Sequence, residues 1–201
     1  MLLKPVIHPM LLSLAFAGLS AVAGQTNSRA IDTAPQELSP LLATISERLK
    51  IADLVALTKW DSGQPIQDSD RELQVIAFAQ QQAASYAISK NDVAQLLAAQ
   101  IEANKLVQYG LLATWQTLGH APETKRPDLK NQIRPQLDQL QTRLLEQYAK
   151  FSTFRSNPAC PAWLNEARPR FASDQLHKLA LIRATGELCT YSKPHAPNPS
   201  H

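Results

Sequence analysis

From Gln67 to Leu118 the chain contains no proline and a single glycine, Gly110. Proline and glycine are the residues that interrupt helices most strongly, so this stretch carries almost no punctuation for turns. The one internal signal is Ser89 with Asp92, a capping side chain followed at helical spacing by an acid. The stretch therefore predicts two long helices, about 68–88 and 92–118. On the first, Val75, Ile76, Phe78, Ala79 and Ala83 are expected inward; on the second, Val93, Leu97, Ile101, Leu111 and Trp115.

The flanking segments read the same way. Ser39-Pro40 predicts a helix start, Ser as cap and Pro at the first helical position, with the helix running to about Trp60 and broken by Gly63 and Pro65. After a linker at His120–Pro127, a fourth helix is expected over about Asp128–Arg155, along Ile133, Leu137, Leu140, Leu144 and Phe151. Pro135 either kinks it or marks its true beginning. Asn157–Pro161 breaks the chain, and two shorter helices follow, about Pro161–Phe171 and Asp174–Leu188. No strand alternation or internal repeat stands against this. The fold class is all-α, a single domain of about six helices.

The N-terminus reads as a targeting segment. Lys4 precedes an apolar run, Met10–Val22, and Ala21-Val22-Ala23 is a small-x-small cleavage site, so cleavage is expected after Ala23 and the mature protein in the periplasm or outside the cell. The expected organisation is a signal peptide over 1–23, a flexible leader over 24–37, a helical domain over 38–191 and a disordered tail over 192–201. No later segment is apolar enough for a membrane helix, so no membrane partner is expected after cleavage. The formal net charge of +3 is small and spread along the chain, which gives no reason to expect nucleic acid. There is no G-x-S-x-G, no Gly-rich phosphate loop and no metal-ligand spacing among the histidines, so no metal and no cofactor is expected. In an exported chain the two cysteines, Cys160 and Cys189, read first as a disulfide bracketing the last helical pair, with a metal site or a thiol nucleophile as alternatives. Closing a loop of about thirty residues would stabilise the fold by about 3–4 kcal/mol on chain-entropy grounds.

Four features stand apart from this apolar framework. On the first helix Leu41, Ile45, Ala52 and Val55 form an apolar seam, and Arg48 and Lys59 fall on that same seam, about three turns apart. Burying two cations is costly without anionic partners. Asp68, Arg71 and Glu72 then share one face of the next helix's first turn. Singly, each such residue reads as surface salt bridging. On the third helix Asn104 and Gln108 lie one turn apart on the apolar seam, as satisfied core amides or as ligand contacts. On the fourth, Arg143 and Arg134 flank the seam on opposite edges, and helix geometry alone does not choose between them. Together these residues describe a pocket for a small anion.

In order and spacing, Glu47-Arg48-Leu49, Lys59-Trp60, Pro65-Ile-Gln-Asp-Ser-Asp-Arg-Glu72 and Gln100-Ile-Glu-Ala-Asn104-x-x-x-Gln108 resemble the all-helical chorismate mutases, in particular their exported class with a disulfide-bonded C-terminal extension. The likeness covers about Leu38–Trp115 well and continues through Gln141-Thr-Arg143-Leu-Leu and the cysteines. It implies a site inside the helical bundle, supplied by one chain, for the small molecule chorismate. Arg48 would pair with one substrate carboxylate, helped by Arg143. Arg71 and the Asn104 region would hold the other. Asp68 and Glu72 would position the ring hydroxyl, and Lys59 and Gln108 would flank the ether oxygen. Some exported members carry Glu at the position of Gln108 and Thr or Ser at that of Asn104. A homodimer is compatible with the sequence and not specified by it.

Chorismate to prephenate is an intramolecular [3,3] rearrangement that needs no nucleophile and no proton transfer. The protein's part is to hold a flexible dianion in its reactive fold and to stabilise charge as the C–O bond breaks. Arginine's planar fork suits the carboxylates. The competing readings are an isochorismate–pyruvate lyase of the same fold and a non-catalytic helical module that binds a small acid or a partner.

Overall fold

The computed structural model describes residues 33–190. The expected signal segment, most of the expected leader and the expected tail lie outside the described residues. Six helices follow in order: α1 Leu38–Ser62, α2 Ser69–Gln82, α3 Lys90–Leu118, α4 Arg134–Phe151, α5 Cys160–Ala167 and α6 Gln175–Ala184. No strand occurs among the described residues, and no described helix is long and apolar enough to cross a membrane.

The two longest helices, α1 and α3, pack on each other; α4 lies against α1, α2 against α3, and α6 against both. Leu41, Leu42 and Ile45 of α1 meet Leu96, Leu97 and Val107 of α3, Leu144, Tyr148 and Phe151 of α4 and Leu181 of α6 in one core. At Gly110 a side chain has no room: a Cβ there would stand 2.7 Å from Leu176 Cδ1, so α6 sits directly on the backbone of α3.

Local chemistry sets most boundaries. The Asp68 carboxylate accepts from the Arg71 amide (3.2 Å), and Glu72 Oε1 returns the bond by accepting from the Asp68 amide (3.3 Å). Ser89 caps α3 through the Asp92 amide (3.0 Å), as its spacing predicts. Asp174 caps α6 through the His177 amide (2.9 Å). The start of α1 departs from expectation. Ser39-Pro40 lies inside the helix, which begins at Leu38 behind Glu37 with no side-chain cap. Leu38 is 1% exposed, and placing it in the core outweighs the capping preference.

Phe78 is also a correction, 54% exposed where periodicity turns it inward. The shorter α2 rests chiefly on α3 and buries only a narrow stripe through Ala79, with Val75 and Ile76 packed beside it. It ends early in a 3₁₀ turn, Ala83–Tyr86, followed by Ala87 at φ 54°.

Ahead of α4 a turn of π-helix, Leu129–Ile133, is capped by Asp128, which accepts from the amides of Lys130 and Asn131 (both 2.8 Å). Pro135 falls in the first turn of α4 and marks its start rather than a kink. Cys160 and Cys189 form the expected disulfide, joining the first residue of α5 to the segment after α6. Beside it, Arg155 pairs with Asp92 (2.7 Å), donates to the carbonyls of Leu188 and Glu187 and lies over the Tyr148 ring.

Candidate active site

A cavity of about 220 Å³ opens between α1, α2, α3 and the start of α4. Seven of the residues singled out above line it: Arg48 and Lys59 from α1, Asp68, Arg71 and Glu72 at the head of α2, and Asn104 and Gln108 from α3. Val55, Ile66, Val75, Ile101, Leu129 and Leu137 make its apolar walls. Its ionisable lining is five cations (Arg48, Lys59, Arg71, Lys105, Arg134) and three carboxylates (Asp68, Glu72, Asp138), an excess of two positive charges.

Arg48 is buried, and burial pushes its pKa down to about 10, with Asp138 opposing the shift. Its Nη1 donates to the Leu137 carbonyl (3.3 Å), while its buried Nε has no partner in the protein. Lys59 donates to the carbonyls of Pro65 and Ile66, the latter at 3.4 Å. It thereby folds the loop before α2 over the cavity's edge. Burial lowers its pKa against the pull of Asp68 and Glu72.

The two amides of α3 form a relay. Asn104 Nδ2 donates to the Arg48 carbonyl (3.4 Å), and Gln108 Nε2 donates to Asn104 Oδ1 (2.6 Å). A backbone carbonyl can only accept, so it fixes which way both amides turn. Gln108 Nε2 keeps a second N–H to offer, and its buried Oε1 has no partner.

Arg143 is the residue the structure does not bring to the cavity. It reaches across to α1 on the outside, where Nη1 lies 3.1–3.2 Å from both Glu47 oxygens. Arg134 lines the cavity instead. The two are separated by about two and a half helical turns, so a helix that presents one must turn the other away.

Sequence patterns also pass over Lys105, Gln100, Gln141 and Asp138. Lys105 bonds Glu102 (2.7 Å), Glu72 (3.0 Å) and Gln67 (3.2 Å). Its signal was present as a lysine one turn beyond Ile101 and facing Gln108's side of α3. Gln100 Nε2 ties the site to α6 through the Ala184 carbonyl (2.7 Å). At the far end of α1, Trp60 packs edge-on against Trp115, and Arg126 of the linker holds Asp61 (2.8 Å). Among the described residues no three His, Cys, Asp or Glu side chains gather as a metal site requires.

Residues 31–109 match the family described as chorismate mutase type II. The chain is 33% identical over 184 residues to the secreted chorismate mutase of Mycolicibacterium smegmatis, an alignment covering 90% of this chain and 99% of that one. It is 31% identical over 162 residues to the secreted chorismate mutase of Mycobacterium tuberculosis, covering 79% and 81%. The crystal structure of chorismate mutase from Burkholderia phymatum superposes with a TM-score of 0.76 at 40% identity, over 77% of this chain and 97% of that one.

Proposed function

The chain belongs to the type II chorismate mutases, and on that premise we propose that the cavity between α1 and α4 is where it rearranges chorismate to prephenate. The observation that carries the assignment is donor capacity held without an acceptor: Arg48, whose Nε has no partner in the protein, and Gln108, with an N–H to spare, both line one cavity with two surplus positive charges. A dianion with an ether oxygen between its two halves supplies what these groups lack.

In this reading Arg48 and Arg134 take one carboxylate and Arg71, beside Asn104, the other. Asp68 and Glu72 receive the ring hydroxyl. Gln108 and Lys59 donate to the ether oxygen, where negative charge grows as the C–O bond lengthens. The Asn104 relay holds the Gln108 donor in place before substrate arrives, so little reorganisation remains for the reacting state. Lys59 has three N–H groups and two backbone acceptors, which leaves one for the substrate. Burial of Gln108 strengthens its contact. The carboxylates hold the chain of the dianion in its folded conformation, and the rearrangement then proceeds within one molecule.

The secreted relatives, with the apolar run Met10–Val22 and the Ala21-Val22-Ala23 site, support export to the periplasm or beyond. The deciding experiment follows loss of chorismate absorbance with purified mature protein and identifies the product. Prephenate is expected. No turnover of chorismate overturns the assignment, and pyruvate release from isochorismate in its place would indicate the lyase reaction.

A further inference from the structure

Donor accounting separates the cations of the cavity into two kinds. Arg48 and Lys59 retain N–H groups that the protein leaves unengaged. Lys105 retains none. Its ammonium has three protons and meets three acceptors: Gln67 Oε1 in the loop before α2, Glu72 Oε2 in α2 and Glu102 Oε1 in α3. It is 8% exposed, yet the two carboxylates keep it charged against the cost of burial. A fully committed donor has nothing to give a ligand without breaking a bond it already makes.

What Lys105 does give is a fixed place for Glu72. That carboxylate is held at both oxygens, Oε1 by the Asp68 amide and Oε2 by Lys105. Without Lys105, Glu72 keeps only the Asp68 amide and loses its fixed place.

We propose that Lys105 is a positioning residue, holding Glu72 where it meets the substrate's ring hydroxyl. The proposal rests on the reading of the cavity as the chorismate site. The ring hydroxyl takes no part in bond breaking, so a contact to it contributes equally before and during reaction. Its loss is read in KM rather than in kcat.

The test compares Lys105→Met, Glu72→Gln and the double variant in the full mature protein, with kcat and KM for chorismate. Lys105→Met is expected to raise KM about tenfold or more with kcat within about threefold. Added to Glu72→Gln, it is expected to cost less than about threefold further, because its effect passes through Glu72. Penalties on KM that multiply in the double variant would mean that Lys105 acts independently of Glu72, and that result overturns the proposal. So does an unchanged KM in Lys105→Met. Should Lys105→Met leave Glu72 too poorly compensated to fold, the double variant against Glu72→Gln alone makes the same comparison with no glutamate at position 72. Absence of chorismate turnover by the unaltered protein overturns the site and this role together; turnover with multiplying penalties overturns this role alone.

Discussion

Arg134 and Arg143 stand on one helix and point to opposite sides of it, Arg134 into the cavity and Arg143 onto Glu47. The Arg143–Glu47 pair is half exposed on both sides and contributes little to stability. Arg134→Ala is therefore expected to lower kcat/KM by on the order of a hundredfold, as loss of a charged donor to a carboxylate does. Arg143→Ala is expected to change it less than about twofold, within the ordinary range of surface substitutions. Steady-state kinetics on both proteins, at equal folded fraction by circular dichroism, checks the pair. The reverse ranking would return Arg143 to the site.

Lys59 is expected to act on kcat, since its contact strengthens as charge develops on the ether oxygen. Lys59→Ala should lower kcat by about a hundredfold to a thousandfold with a smaller change in KM. The sign of its pH dependence follows from burial, which lowers its pKa below that of free lysine at 10.5. Deprotonation removes the donor's charge, so kcat/KM of the unaltered protein, which reports the free enzyme, should fall on the alkaline side, at a pH below 10.5. A kcat/KM profile flat through that range would remove Lys59 from the breaking bond.

Gln108 cannot titrate, so this position imposes no acid optimum. Gln108→Glu changes that, and the amide relay sharpens the effect. An ionised glutamate would face the Asn104 oxygen and the ether oxygen with no proton for either, whereas the protonated acid can donate. The variant's kcat should therefore rise as pH falls through the new residue's pKa. Profiles between about pH 4.5 and 8 for both proteins bracket a glutamate at or above its ordinary pKa. Parallel profiles would show that Gln108 does not face the reacting bond.

Asp92 should make stability acid-sensitive. The Ser89 hydroxyl lowers its pKa below the usual carboxylate value of 3.8, and the salt bridge to Arg155 adds to this against the cost of burial. A carboxyl whose folded pKa is depressed contributes stability above its unfolded pKa and loses it as pH falls through the folded one. The loss should thus appear below about pH 3.8. Asp92→Asn should lower Tm at neutral pH by about 2–5 °C and flatten that acid limb. Thermal melts from pH 2.5 to 7 check it.

What the sequence disclosed, and what it withheld, divide along the helix period. Arg48 and Lys59 were legible because a charged residue on an apolar seam is a contradiction that spacing exposes. Asn104 and Gln108 were legible for the same reason, and the cysteines because an exported pair has few other uses. The choice of Arg134 over Arg143 was not, since both flank the apolar seam and only the packing of α4 against α1 decides which edge meets the cavity. Lys105 sat beside Glu102 in a pattern that reads equally well as a surface ion pair. Only the approach of α2, which brings Glu72 to it, distinguishes the two. Phe78 failed in the opposite direction: α2 finds too few neighbours to bury every apolar residue it carries.

The π turn makes the entry to α4 more tolerant of length than a continuous helix would be. Leu144, Tyr148 and Phe151 fix the rotation of α4 in the core, so a residue removed from Leu129–Ile133 is taken up by tightening the wider turn to an α-turn. Arg134, beyond that turn, then keeps its place in space while its place in the chain changes. Lineages of this fold should accordingly accept a one-residue deletion along Leu129–Ile133 more readily than one within α4, where the residues that follow would fall out of register with the core.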